Sequence, residues 1–330
     1  MELSYCVINT NGGEFLPRCL ESVRRTNPGA TDHEVIVVDN ASDDGSADAV
    51  RRGFPEVRVI TRNRRHGISA NLNLLLREAR GRFFLFLNED AELTDGAPAA
   101  LLEALREDSR AGAAGAMLLD PSGRETACAW RLPGLGVAAA SALYLHRWLA
   151  NQSGGGRTRD VGWCRSAALM IRHQAADEIG GFDSGYFFYG EDADFQRRLH
   201  DAGWHILHVP GARVIHHEHA SDARRPGERR IVQFHRSRDR YMRQHHSAPV
   251  ALLARVLWAW SYVPRAAAAL FLHDHSPRVY ALHARRALRP GAGEDMRDAA
   301  EAYNRERERL AAESGAAQAP ERSSSRAATS

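Results

Sequence analysis

The chain of 330 residues contains no lysine, so each of its 44 basic side chains is arginine. Any anion site must therefore be built from guanidinium groups or backbone N–H groups. Cysteine is also scarce. Cys6, Cys19, Cys128 and Cys164 are scattered, and no two stand at C-x-x-C spacing. This argues against a zinc ribbon or a disulfide framework and suits a reducing cytoplasm. An excess of one charge is missing too: the formal net charge is +3, which gives no electrostatic case for nucleic acid as a partner. No basic segment followed by an apolar one precedes the first strand-like run, so no signal peptide is expected. No internal repeat is visible. What remains is ordinary for a soluble globular protein, 44% apolar and 26% charged, with length for one large domain or two smaller ones.

The first part alternates apolar strands with amphipathic helical stretches. Strands are predicted over 3–10, 33–40, 57–63 and 82–88. Helices are predicted over 14–25, 46–54 and 68–79, the last stopped by Gly81. Nearly continuous apolar strands separated by helices imply βαβ units and a mostly parallel sheet covered on both faces. Residues 112–120 read as a further strand. Residues 133–160, rich in Gly, Ala and Ser, read as a loop-rich insertion or mobile segment. Regular structure resumes at 167–172, followed by a helix near 173–180, a helix over 191–202 and two short strands, "HILHVP" and "ARVIHH".

In an open α/β sheet, ligands bind beyond the carboxyl ends of the strands. Here those ends carry Asn9-Thr10-Asn11, Asp39 in "VVDNASDDGS", the run Arg62–Arg65, and Asn88-Glu89-Asp90 in "LFLNEDAEL". Taken singly, each reads equally as a turn or a helix cap. Together they collect polar and acidic groups along one edge. A second acid pair, Glu191-Asp192, opens a predicted helix, where the macrodipole also favours acids. Residues 216 and 217 are both histidine at a strand end, and alternation lets only one of them face a given site.

These stretches, in this order, resemble glycosyltransferase family 2, with its nucleotide-sugar-binding GT-A fold. The similarity runs from about residue 3 to 245 and is nearest to bacterial rhamnosyltransferase-like members. It rests on "NGGEFLPRCLESV", "VVDNASDDGS", "HGISANLNL", "LFLNEDAEL" and "GGFDSGYFFYGEDADFQRRLHDAGW" followed by "VPGARVIHHEHAS". The resemblance implies an α/β, Rossmann-like domain with a mostly parallel mixed sheet and a C-terminal helical extension. It implies that Thr10, Asn11, Asp39 and Asn88 bind the nucleotide. Asp90 and His216 would hold a divalent metal, Mg²⁺ or Mn²⁺, against the donor diphosphate. Asp192, favoured over its neighbour Glu191, would be the general base of an inverting transfer to an acceptor hydroxyl. Glu89, where the family has proline, is expected to be only an exposed neighbour.

The implied substrates are a nucleotide-diphosphate sugar, with rhamnose the first expectation, and a hydroxyl on a glycan, a lipid-linked glycan or a small natural product. A sugar-1-phosphate nucleotidyltransferase and a non-catalytic carbohydrate-binding scaffold are the alternatives, and "NTNGGEF" is a poor match to the phosphate loop of the first. A zinc site from His216, His217 and His219 is a lesser reading. Expected boundaries are 1–245 for the glycosyltransferase domain, 246–290 for an apolar or amphipathic helical segment, and 291–330 for a charged helix, near 294–313, and a disordered tail. Residues 250–272 are long enough to span a bilayer, but Arg255, Pro264 and Arg265 interrupt them. A surface helix pair, lying on a membrane or packed on the domain, is favoured. The expected location is the cytoplasm, with the inner face of the membrane as a further site.

Overall fold

The computed structural model describes residues 1–27, 32–218, 227–272 and 275–317, of which 314–317 are described through their backbone alone. The first half runs β1 (Leu3–Asn9), α1 (Phe15–Thr26), β2 (His33–Asp39), α2 (Ser46–Gly53), β3 (Arg58–Thr61), α3 (Ile68–Glu78), β4 (Phe83–Asn88), β5 (Ala91–Leu93), α4 (Ala97–Glu107) and β6 (Ala111–Leu119). Next come β7 (Ala129–Trp130), α5 (Leu135–Ala142), α6 (His146–Leu149), β8 (Arg159–Asp160), β9 (Trp163–Cys164), β10 (Ala168–Arg172), α7 (His173–Glu178), α8 (Glu191–Asp201) and β11 (His205–His216). Helices α9 (Glu228–His245), α10 (Ala248–Ala268), α11 (Pro277–Leu288) and α12 (Met296–Ala317) complete the described chain.

The main sheet has the order β3-β2-β1-β4-β10-β6-β11-β5, with β8 added beside β11. Strands β3, β2, β1 and β4 are mutually parallel. β10 is antiparallel to both neighbours, and β6 and β11 pair in parallel again. Alternation along each strand feeds two cores. Leu3, Tyr5 and Val7 of β1 and Phe83, Leu85 and Leu87 of β4 face one layer. Cys6 of β1, Phe84 and Phe86 of β4, and Ile36 and Val38 of β2 face the other. Each such fully buried side chain contributes about 1.5–3 kcal/mol of transfer free energy. This is why the parallel strands read as unbroken apolar runs.

Three expectations are corrected. The segments "HILHVP" and "ARVIHH" form one strand, β11, whose pairing with β6 jumps from Val209–Ala116 to Arg213–Met117. The residues between them, Pro210 to Ala212, are taken up as a bulge, which accommodates the proline without ending the strand. Residues 133–160 contain α5 and α6 rather than one long loop. Ala138, Ala140 and Ala142 are buried, and Ala138 joins Tyr186, Ala193, Tyr241 and Trp258 in a third apolar cluster. Residues 250–272 hold not a helix pair but one helix, α10, that carries Pro264 within it. Among the described residues no helix is long and apolar enough to cross a membrane. The four cysteines are free and buried. The expected disordered tail falls on 318–330, and His219 on 219–226, both outside the described residues.

Candidate active site

The carboxyl edge of the sheet gathers three groups of polar side chains. The first lies at the ends of β1 and β2. Asn9, fully buried, donates from Nδ2 to Asp39 Oδ1 at 2.8 Å and accepts the Gly12 N–H on Oδ1 at 3.0 Å. It thereby fixes the Asp39 carboxylate and the turn after β1 together. Asn40 donates to Thr10 Oγ1 at 3.2 Å and to the His66 carbonyl at 3.1 Å, tying the β1 loop to the loop after β3. Asn11 adopts a positive φ of 56°. Its side chain is engaged with Asp43 in both directions, donating to Oδ1 at 2.8 Å and accepting the Asp43 N–H at 2.9 Å. Asp39 and Thr10 therefore stand together where β1 and β2 end, while the Asn11 side chain serves as a loop staple.

The second group is at the end of β4. Asp90 is buried, and its Oδ1 lies 3.2 Å from His216 Nε2. Asn88 Nδ2 is also 3.2 Å from that nitrogen. The pairing of β5 with β11 sets Ala91 opposite His216 and so brings the two strand ends together. His217 faces away: its Nε2 is 2.8 Å from Glu92, and its ring packs 5.2 Å from that of Phe15. Glu89 is half-buried rather than exposed, with a Cβ on Gly12 reaching to within 3.0 Å of its Cγ.

This second group suits a divalent cation. A buried carboxylate and an imidazole converge, and the His216 Nδ1 atom is buried without a hydrogen-bond partner. A carboxylate and an imidazole are both ligands that divalent cations accept. Among the described residues no three His, Cys, Asp or Glu side chains form a metal cage.

The third group opens α8. Gly190 takes φ +81°, a turn that a side chain would strain, and delivers Glu191 and Asp192 into the first helical turn. Both acids are buried. Burial, reinforced by the neighbouring Asp192 charge, drives the Glu191 carboxyl well above the usual range. The Glu191 Oε2 atom has no hydrogen-bond partner. Burial also pushes Asp192 up, to about 6, against the opposing pull of the Ala193 N–H and of Arg165. The helix dipole does not offset the desolvation. On neighbouring loop backbone, Gly67 meets Phe187, where a Cβ would fall 2.8 Å from main-chain atoms, and the Ile68 N–H donates to the Phe187 carbonyl at 2.8 Å. The aromatic run before the acids is thus pinned to α3.

Arg165 was not singled out by the sequence. It pairs with Glu218, whose Oε1 is 3.9 Å from His216 Nδ1, and it acts electrostatically on Asp192. It therefore bridges the second and third groups. Asn40 was likewise missed, because its partners lie 26 and 30 positions away.

A mostly parallel sheet, acids at the ends of β2 and β4, and a buried acid pair at the start of α8 are the arrangement of a glycosyltransferase with the GT-A fold. The model of "Glycosyl transferase family 2" matches residues 4–126, and that of "Glycosyl transferase family group 2" matches 157–284. The N-acetylglucosaminyl-diphospho-decaprenol L-rhamnosyltransferase of Mycobacterium tuberculosis is 31% identical over 232 residues, which cover 64% of this chain and 75% of that protein. The chain belongs to glycosyltransferase family 2. Among solved structures, the mannosyltransferase PcManGT of Pyrobaculum calidifontis in complex with GDP-Man and Mn²⁺ has a TM-score of 0.54 at 16% identity, over 94% of this chain and 80% of that one. GalNAc-T7 with UDP, GalNAc and Mn²⁺ has a TM-score of 0.52 at 17% identity, over 65% of this chain and 43% of that one. These two likenesses concern the fold.

Proposed function

We propose that the chain transfers a sugar, rhamnose first among candidates, from a nucleoside-diphosphate donor to a hydroxyl of a lipid-linked glycan, with inversion at the anomeric carbon. The observation that carries the mechanism is the buried Glu191–Asp192 pair on the same sheet edge as Asp90. Raised proton affinity suits Asp192 to accept a proton near neutral pH. The acceptor O–H gives its proton to Asp192 as its oxygen bonds the anomeric carbon. The bond from that carbon to the diphosphate oxygen breaks, and the electron pair leaves with the nucleoside diphosphate. Burial and the neighbouring Asp192 charge raise the proton affinity of Glu191, which works against a second buried charge in the site. Asp39 and Thr10 hold the nucleoside, with Asn11 and Asn88 shaping its loops. Asp90 and His216 would hold a divalent cation, which when bound offsets the diphosphate charge.

The lipid-linked acceptor rests on the printed name of the mycobacterial relative and on one surface. Leu252, Leu253, Val256, Trp260 and Val263 form an exposed stripe on α10. The α5–α6 turn adds Leu143, Leu145 and Trp148, the last 75% exposed. It is tied to α10 by Tyr144, whose hydroxyl donates to the Ser261 carbonyl at 3.0 Å. We assign this face to peripheral contact with a membrane, and 1–245 to the catalytic domain with the later helices as its extension. A panel of nucleotide sugars with Mn²⁺ tests the reading. Release of a nucleoside diphosphate, lost in Asp192→Ala, is the expected result. Release of inorganic pyrophosphate, or no release from any donor, would overturn it.

A further inference from the structure

Helix α12 lies along the carboxyl edge of the sheet and touches loops that precede it by more than two hundred residues. Its start is fixed by Asp295, which is buried, accepts the N–H groups of Arg297 at 2.8 Å and Asp298 at 3.1 Å, and pairs with Arg236 of α9. Arg297, in the first turn of the helix, sits 5.6 Å from the ring centre of Phe187, in the aromatic run that precedes the acid pair. The helix then reaches the opposite corner of the site. The Tyr303 hydroxyl donates to Asp43 Oδ2 at 2.8 Å and lies 3.2 Å from the Ala41 carbonyl. Asn304, buried, accepts the Arg65 N–H at 2.7 Å and donates to the Arg65 carbonyl at 3.0 Å. The Arg65 guanidinium stacks over the Tyr303 ring at 3.5 Å, and its buried Nε has no hydrogen-bond partner.

Ala41 and Asp43 belong to the loop that follows Asp39, and Arg65 belongs to the loop that Asn40 ties to Thr10. These are the loops to which the proposed function assigns the nucleoside. Asp43 is also the partner of Asn11. Tyr303 and Arg65 therefore form a stacked cation–aromatic pair on the loops beside Thr10 and Asp39. The Arg65 guanidinium is partly exposed and lies 3.7 Å from Asp43 Oδ1; stacked on the Tyr303 ring, it makes a flat cationic surface suited to stack on a nucleobase.

We propose that α12 supplies the outer wall of the donor's nucleobase site, with Tyr303 and Arg65 setting both the affinity for the nucleotide and the choice of base. This rests on the assignment of a nucleoside-diphosphate donor. The test uses full-length protein and compares wild type with Tyr303→Phe, which removes only the hydroxyl, and Tyr303→Ala, which also removes the stacked ring. Steady-state kinetics give KM for donor and acceptor separately. Competition by UDP, dTDP and GDP gives base preference.

Loss of one hydrogen bond to a charged group should raise the donor KM about tenfold in Tyr303→Phe. A larger rise is expected in Tyr303→Ala, with kcat and the acceptor KM little changed. Discrimination among the three nucleotides should narrow in Tyr303→Ala, which a general loosening of the fold would not produce. An unchanged or lowered donor KM, an equal rise for donor and acceptor, or an unaltered base preference would overturn the proposal. Wild-type protein that turns over while the variants behave like it defeats only this proposal. Wild-type protein inert toward every donor defeats the functional reading beneath it.

Discussion

Replacing Asp192 by asparagine should move activity and stability in opposite directions. The carboxyl is buried, and its proton affinity rises from the ordinary 3.8 to about 6. That difference corresponds to about 3 kcal/mol by which the folded state disfavours the ionised form. Below pH 3.8 the group is protonated whether the chain is folded or not, so no penalty operates. As pH climbs from there, the unfolded chain releases the proton while the folded chain keeps it, and stability falls. Above about 6 the penalty is complete. Asparagine keeps an oxygen for the Ala193 N–H, which donates to Asp192 Oδ1 at 2.9 Å, and it carries no charge. The variant should therefore be more stable than wild type by about 1–3 kcal/mol at pH 7.5, and this gain should shrink towards zero at pH 4. Urea unfolding at the two pH values measures it. Turnover should drop by about 10²–10⁴-fold, and the wild-type rate should rise with pH through about 6. An inactive variant that is less stable at pH 7.5, or equally favoured at both pH values, would refute the claim that burial is what tunes the base.

Four further outcomes follow from the same geometry. Asp90→Ala should weaken calorimetric binding of Mn²⁺ in the presence of UDP at least about tenfold, since half of a two-residue site is lost. His216→Ala should do the same, whereas His217→Ala, which removes the Glu92 partner and the packing on Phe15 away from the site, should stay within about twofold. The His235–His283 pair, 3.0 Å apart, is held neutral by burial, with His283 pushed down to about 4. Its folded pKa values lie below the unfolded one, so the α9–α11 region should lose stability as pH falls through about 6.5, and His283→Phe should flatten that loss in thermal melts. Trp148→Ser with Trp260→Ser should reduce sedimentation with anionic vesicles, while turnover on a water-soluble acceptor stays near the wild-type value.

The parallel half of the sheet was legible because burial on both faces leaves a continuous apolar run, as in "RFFLFLN" and "HEVIVVDN". Asp39, Asp90 and Asp192 were legible because each follows such a run or opens a helix on it. The bulge in β11 was hidden by Pro210-Gly211, which reads as a stop although the strand pairs again from Arg213. Helices α5 and α6 were hidden by composition. The alanines of α5 are buried, and Ala138 packs with Tyr241 and Trp258 from over one hundred residues away, contacts that no local period announces. Arg165, Asn40 and Tyr303 share one difficulty. Arg165 and Tyr303 belong to no quoted motif, Asn40 lies within "VVDNASDDGS" unmarked beside Asp39, and each gains its place only when distant segments meet, as Tyr303 does with a carbonyl 262 positions earlier.

That last separation bears on how the enzyme comes into being. A chain growing from its N-terminus has β1 to β4 in hand long before the helix that rests on their loops exists, and domains tend to fold as they emerge. The sheet can therefore be complete while the nucleotide corner is still missing one side. If α12 is that side, a chain cut short before Tyr303 keeps its sheet but has an impaired donor site. Bulky fusions placed directly after α12 carry the same hazard, whereas a tag ahead of β1 leaves that helix unencumbered.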